Sequence, residues 1–504
     1  TGPRGKAASP GIFFWIASRS RLQEGLPSQA YHPKGQPMTP TYDNMSREER
    51  RTLHGVVISV IAGQLLAPFM HSGVAVMLPS IGRELHASGA QLGLVGTVYC
   101  LALAIFHLVM GRAGDKWGRK RVCLCGMLLL TSAVTATVFC PGIETVIGLR
   151  FLQGMGTATV NTCALTMMVA CSPPNLRGRI FGLTMTSVYL GLAVGPVVGG
   201  YMDTTFGWRS LFGVLGGVGA FSCIVMSVFV RREWKEKPEA PYDWTGLCLF
   251  AGGMTAFVMG TVGPVPPAVA PFCAGAGLLG IVLFGMHQTR LTSTEPLLDV
   301  KHLLHNRVFV LSNIASLAMF SSLFAITFFF SLYLQYVKGY SARDAGFVLF
   351  AEPLAQLAFT AIAGVMADKH GAERIALIGA GVGAVSLGLG TFLDAGSALW
   401  QLYLILCLNG LSIALFSAPN TVVIMGSVAP QHMSQASGLV GTVRTMGMLC
   451  SMMIATGLVR WHIGDAPISS GNIPDLLAAM HQAFFMFAAM CTISILCSVG
   501  RMKR

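Results

Sequence analysis

Apolar residues run in long blocks along this 504-residue chain, each near the length of a bilayer crossing, with short polar turns between them. A hydrocarbon core about 30 Å thick takes roughly 20 residues of α-helix. A window of that length predicts spans at 54–80, 91–110, 122–140, 143–170, 180–202, 209–230, 245–263, 267–287, 308–336, 344–366, 375–394, 398–424, 437–461 and 478–498. The predicted fold class is therefore an all-α membrane protein with fourteen transmembrane helices.

Composition supports the pattern: 53% of residues are apolar and 11% charged, against about 25% charged in a soluble domain. The net charge of +13 invites a nucleic-acid partner, and its placement excludes one. With a cytosolic N-terminus, the far side of the membrane holds only Arg83, Arg209, Lys338, Arg343 and Arg460. This positive-inside asymmetry predicts both termini in the cytosol of a cell-membrane protein. Trp117, Trp208, Trp234, Trp244, Trp400 and Trp461 fall at span ends, where amphipathic rings prefer the interface. The 13 cysteines lack metal-ligand spacing and read as small packing residues.

A charged, glycine-punctuated turn occurs twice, as "GRAGDKWGRKR" at Gly111–Arg121 and "GVMADKHGAER" at Gly364–Arg374. Both share Gly-x3-Asp-Lys-x-Gly, so a membrane unit has been duplicated. Placing the copies at matching positions gives a 6+2+6 arrangement: a six-helix bundle at 53–230, a two-helix insertion with charged linkers at 231–307, and a second bundle at 308–500. Residues 1–52 read as a disordered cytosolic tail, with Met38 and Met45 as alternative start sites, and 501–504 as a cytosolic tail. Ser46 and Glu49 form a capping-box pattern that predicts a short helix before the first span.

In the turns, Gly111, Gly118 and Gly371 supply backbone freedom, while Asp115, Arg119 and Asp368 offer charges whose contacts form in one conformer and break in another. Span 4 carries "RFLQGMGTATVN", with Arg150 inside the hydrocarbon, where a cation costs roughly 2.5–3.5 kcal/mol unless it meets a partner or a cavity. Span 5 carries "GLAVGPVVGG": Gly191, Gly195 and Gly199 share a face suited to close helix contact, Gly200 follows, and Pro196 removes a backbone hydrogen bond.

These three strings, in this order at the ends of spans 2, 4 and 5, resemble the signature motifs of the major facilitator superfamily, the third resembling the antiporter motif of its drug:proton exporters. The spans' number, "YDWTG" at Tyr242–Gly246, "EPLLDVKHLLHNRVF" at Glu295–Phe309 and "ASGLVGTVRTMG" at Ala436–Gly447 are similar to the fourteen-span drug:proton antiporter branch. The resemblance covers residues 54–500. It implies two bundles rocking about a central site, no cofactor, a small-molecule substrate, protons and membrane lipid as partners, and a monomer. The chain departs from the branch where an acid and an asparagine are usual in span 1: Met70 and Ala75 stand there. In span 13 the usual Asn and Gln are Gly441 and Thr445, with Arg444 retained.

Proton coupling needs a titratable group in a low-dielectric site. Glu352, in span 10 beside Pro353, is the leading candidate, then His71 in span 1, with His107 weaker. By the resemblance, Gln64, Arg150, Asn161, Asn313, Gln356, Asn409 and Arg444 line the substrate cavity, as does Asn420, within walls rich in Met and Phe such as Phe328–Phe330. The resulting reading is a proton-coupled exporter of amphipathic compounds. Its rivals are a carrier of organic anions or a metabolite with other coupling, and a non-transporting sensor or lipid-binding protein. No metal-ligand cluster, catalytic triad or nucleotide-binding loop marks an enzyme.

Overall fold

The computed structural model describes residues 45–235, 242–290, 306–429 and 433–502; the expectations for residues 1–44 and for most of "EPLLDVKHLLHNRVF" fall outside them. The described residues form helices and no strand. In order they are α1 (Arg47–Glu84), α2 (Gly89–Trp117), α3 (Arg119–Ala136), α4 (Ile143–Cys171), α5 (Pro174–Phe206), α6 (Trp208–Phe229), α7 (Trp244–Thr261), α8 (Ala270–Arg290), α9 (Arg307–Leu323), α10 (Ile326–Leu332), α11 (Ala342–Leu349), α12 (Ala351–His370), α13 (Ala372–Gly390), α14 (Leu399–Gly426), α15 (Met433–Ile463) and α16 (Ile473–Met502). Thirteen stretches are long and apolar enough to cross a membrane, α9–α10 and α11–α12 each making one; α4 adds a further 29-residue helix.

The helices start and stop for local reasons. Ser46 and Glu49 form a reciprocal capping box, 2.8 and 3.2 Å, that opens α1 itself. The separate short helix expected there is absent, because the chain continues from the cap directly into the span. At the other end, Arg501 and Met502 belong to α16 rather than to a tail. Arg501 is buried and donates to Ser312 at 2.9 Å and to Asn420, which draws the last turn into the protein.

Two spans are broken. In the ninth, the Ala325 amide donates 2.9 Å to the Ser451 hydroxyl of α15 instead of continuing the helical ladder, and a side chain inserted into that ladder is a recognised cause of a kink. The tenth divides at Phe350, because Pro353 has no N–H to give to the turn before it and is tolerated in the first turn of α12. Glu352 therefore sits beside a discontinuity, not deep within an unbroken helix.

α1 packs along α5 and also against α4 and α6, and α2 and α3 pack on α4. In the second half of the chain, α9, α12 and α13 pack about α14 and α16, and α15 packs on α9 and α16. α7 and α8 pack mainly on each other, with α7 touching α2 and α15. The two larger groups meet through α2–α15, α5–α11 and α1–α10. Among the described residues, the hydrogen bonds between these groups all lie at the end opposite the duplicated turns. Gly89 N–H reaches Ala466 O at 3.2 Å, Thr97 meets Thr456 at 2.8 Å, Gln335 donates to Val76 O at 2.7 Å, and Arg343 N–H reaches Thr204 at 3.2 Å. Toward the turns, α12 from Leu357 to His370 is largely exposed on more than one face. The molecule is closed at one end.

The two turns are not equivalent. Gly118 has φ +106° and Gly371 φ +89°, both in the region that favours glycine. Around Gly118, Asp115 accepts two bonds from Arg119, at 2.7 and 3.1 Å. Glu233, beyond α6, accepts from the Lys120 and Arg121 amides at 2.8 and 3.2 Å and so caps α3. Beside Gly371 lies an open cleft of about 810 Å³ reached by Glu373, Arg374 and Met502, and Asp368 is exposed.

Three outcomes follow from this packing. A chain carrying Thr97→Cys and Thr456→Cys is expected to cross-link readily on mild oxidation. Adding Gly346→Val, whose side chain would run into the Pro196 carbonyl, should cut the yield several-fold; an undiminished yield would show that the seam does not need glycine. Gly371→Ala, with nothing within 4 Å of the added methyl, should cost about 1–2 kcal/mol for its backbone alone. Gly118→Ala should cost more, because the methyl would meet the Glu233 carboxyl carbon at 2.6 Å, and thermal unfolding of both variants measures the difference. Finally, burial opposes charge on Asp243, the cap of α7, but bonds from the Gly246 amide, His287 and Gln288 outweigh it and hold the carboxyl below the usual range. A lowered folded pKa stabilises above the unfolded value and is lost as pH falls through the folded one. The melting-temperature gap between wild type and Asp243→Asn should therefore be widest near neutrality and shrink on acidification through the carboxylate range.

Candidate functional site

Charged and polar side chains inside the helices fall into separate clusters, and each is defined by what satisfies it. Glu352, on the first turn of α12, is buried at 8% exposure. Its carboxylate accepts 2.6 Å from Asn409 Nδ2 of α14 and 3.3 Å from the Thr327 hydroxyl of α10. Both partners are neutral, and no ion pair to Glu352 occurs among the described residues. Gly410 lets α14 lie against the Glu352 carbonyl, and Gln356 is buried one turn along. Thr327 is placed here by the break before α10.

His71 of α1 lies at the contact between the two groups of helices. Its ring stacks on Phe324 at 4.4 Å and on Tyr99 at 6.2 Å, nearly parallel to each. Arg150 is fully enclosed among α2, α3 and α4 rather than snorkelling: its guanidinium lies 4.8 Å over Tyr99 and donates to Gln153 at 3.0 Å and to Val95 O at 3.4 Å. Gln153 passes the bond on to Thr137 at 2.9 Å. Aromatic and amide groups thus take the place of an acid, a lower-charge solution that still avoids an unsolvated cation.

Arg444 differs. It is exposed, yet its guanidinium lies 4.6 Å over Phe320 of α9, and Gly441, one turn before it, lies against His107 of α2. A side chain ringed by helices of both groups and still accessible faces a void between them.

The remaining cavity candidates are dispersed. Asn313 donates 2.9 Å to Phe309 O of its own helix, and Asn420 binds Ser312 O at 3.1 Å beside Arg501, well toward the turn end. Gln64 is buried in α1, and Asn161 Oδ1 is buried without a partner. Phe328–Phe330 do not form a cavity wall: all three are buried, and Phe329 and Phe330 pack on Phe484. The span is interrupted just before them.

In α5, Gly191 and Gly195 lie on the carbonyls of Leu65 and Phe69, and a Cβ on Gly199 would come within 2.9 Å of Gly73 Cα. That face binds α1. Gly200 and Pro196 turn the other way, onto Ala342 and Gly346 of α11. One string of small residues therefore serves both packing within a group and closure between groups. Tyr99, Phe324, Thr327, Ser451 and Glu233 carry these arrangements without a mark in the sequence, since Phe and Thr are common in membrane helices; only Gln153 lay within a recognised motif.

Comparison with known proteins agrees with this geometry. A family model described as Major Facilitator Superfamily matches residues 60–351 and 314–503. The riboflavin transporter RibZ of Clostridioides difficile is 24% identical over 449 residues, covering 89% of this chain and 97% of its own length. The tetracenomycin C resistance and export protein of Streptomyces glaucescens is 24% identical over 418 residues, 81% of this chain and 76% of its own. A solved peptide transporter bound to alafosfalin shares the fold at TM-score 0.68 and 14% identity, covering 90% of this chain and 99% of its own. The chain belongs to the Major Facilitator Superfamily and is a multi-pass membrane transporter, not an enzyme.

Proposed function

We propose that this transporter exports hydrophobic or amphipathic small molecules in exchange for protons, by alternating access of two six-helix halves. The halves are 53–230 and 308–500, the insertion is α7–α8, and both termini face the cytosol of the cell membrane. In that orientation the turn end faces the cytosol and the closed seam faces the far side. Glu352 carries the proton, and the Gly118 and Gly371 turns bias the conformational equilibrium.

One observation carries the coupling: a buried carboxyl held by Asn409 and Thr327, both neutral, with no cation among the described residues to lock its charge. Such a group takes up or loses a proton when the path to water changes, and its partners adjust, since Asn and Thr can each rearrange a bond toward either state. His71, stacked between rings of both halves, is better suited to reporting the contact between halves than to carrying the proton. The activities for which two relatives are named, transport of riboflavin and export of tetracenomycin C, support a small polycyclic cargo.

Proteoliposomes separate the readings. An imposed pH gradient should drive concentrative movement of ethidium, and Glu352→Gln should abolish the concentrative component while leaving exchange down the substrate gradient. If Glu352→Gln still accumulates substrate against its gradient, the carboxyl is not the coupling group. A wild-type chain indifferent to the gradient would favour a carrier without proton coupling.

A further inference from the structure

Arg444 is the one membrane-embedded arginine in the described spans that reaches open space. Arg150 is sealed by Gln153, Val95 and Tyr99, and Arg501 by Ser312 and Asn420. Arg444 has a ring beneath it, Phe320, but no acid within ion-pair distance among the described residues. A guanidinium keeps its charge at any physiological pH and offers a planar fork of donors matched to a carboxylate. Left facing a void in the membrane, it is costly unless water or a ligand answers it.

Its surroundings show which ligand. Gly441, one turn before Arg444, removes a side chain where His107 Nε2 comes within 2.5 Å of the ideal Cβ position, so α2 delivers the imidazole beside the guanidinium. The other ring nitrogen, Nδ1, is buried without a hydrogen-bond partner. On α9, Phe320 under Arg444 is followed one turn later by Phe324, and that ring continues the near-parallel stack through His71 to Tyr99. A fixed cation with spare donors thus adjoins a series of flat rings.

The depth is also suitable. His107 lies ten residues beyond Thr97 on α2, and Arg444 lies twelve before Thr456 on α15; at 1.5 Å per residue this is roughly 15–18 Å from the closed seam. The cluster lies on the open side of that seam.

We infer that Arg444, His107 and Phe320 form a subsite for the anionic group of an aromatic substrate, with the void beside Phe320 receiving its flat body. This rests on the transport reading above and narrows it: among amphipathic cargo, aromatic acids gain affinity through their carboxylate.

The test uses the full chain in lipid nanodiscs and three matched probes: 1-naphthoate, its methyl ester and 1-naphthylmethylammonium. Equilibrium binding should favour naphthoate over the ester by about tenfold or more, the usual scale of one charge-assisted bond. Arg444→Gln should erase that preference, and Arg444→Lys should retain part of it. Equal binding of ester and acid, tighter binding of the ammonium compound, or no naphthoate binding at millimolar concentration would each overturn the assignment. Because the comparison among probes is made on the unaltered chain, a poorly folding variant does not rescue the idea. Failure here with ethidium transport intact removes the anion subsite alone; loss of gradient-driven ethidium transport removes the exchange reading instead.

Discussion

Hydrocarbon supplies no hydrogen bonds, and from that one constraint most of this structure follows. Every polar group placed within the helices has to be answered by protein or by a void. The clusters show both solutions. Arg150 is answered by an amide, a carbonyl and a ring, and the answer is complete and static. Glu352 is answered by two neutral donors that tolerate a change in its proton. Arg444 is answered only by an aromatic face, which leaves its donors for something that comes and goes.

The same constraint shapes the seam. Without water to expel, helices in a membrane associate through close backbone approach, and glycine permits it. On α5 the small residues point two ways, Gly191, Gly195 and Gly199 toward α1, and Pro196 with Gly200 toward α11. Contacts of the second kind have few long side chains to disentangle, so they can part and re-form without repacking. The π turn after α10 adds Gln335, whose donor reaches across to Val76 O; irregular helix of this sort recurs at functional sites.

Much of this was legible in the chain. Fourteen apolar blocks are visible because a span needs a fixed length of apolar residues, and the duplicated turn is visible because glycine and aspartate have few substitutes at a tight loop. What the one-dimensional pattern hides are contacts between elements. Nothing about Thr327 or Ser451 sets them apart from other hydroxyls, yet one binds Glu352 and the other breaks α9 from α10. Phe328–Phe330 attracted attention as a run of rings, while the ring that crosses to the other half is Phe324, alone and unremarked. Asn313 and Asn420 looked like cavity residues because polarity in a span must be satisfied somewhere; polarity alone does not say whether a neighbour or a void does so.

The break in the ninth span ties these clusters together. Phe320, Phe324 and Thr327 recur at helical spacing, and they touch Arg444, His71 and Glu352 in turn. Those three partners come from α15, α1 and α12, so one stripe meets a cation at the void, a ring of the opposite half and the buried carboxyl. Because the Ala325 N–H donates to Ser451 rather than to a carbonyl of its own helix, α9 and α10 are not obliged to move as one rod. Rotation of the short α10 segment changes the Thr327–Glu352 bond, while Phe320 and Phe324 stay with α9, seated on α14, α15 and α16. On the exchange reading proposed above, the Glu352 carboxyl and the void beside Arg444 have to sense each other across several ångströms of apolar packing, and a short helix hinged at Ala325 is a physical means of doing so.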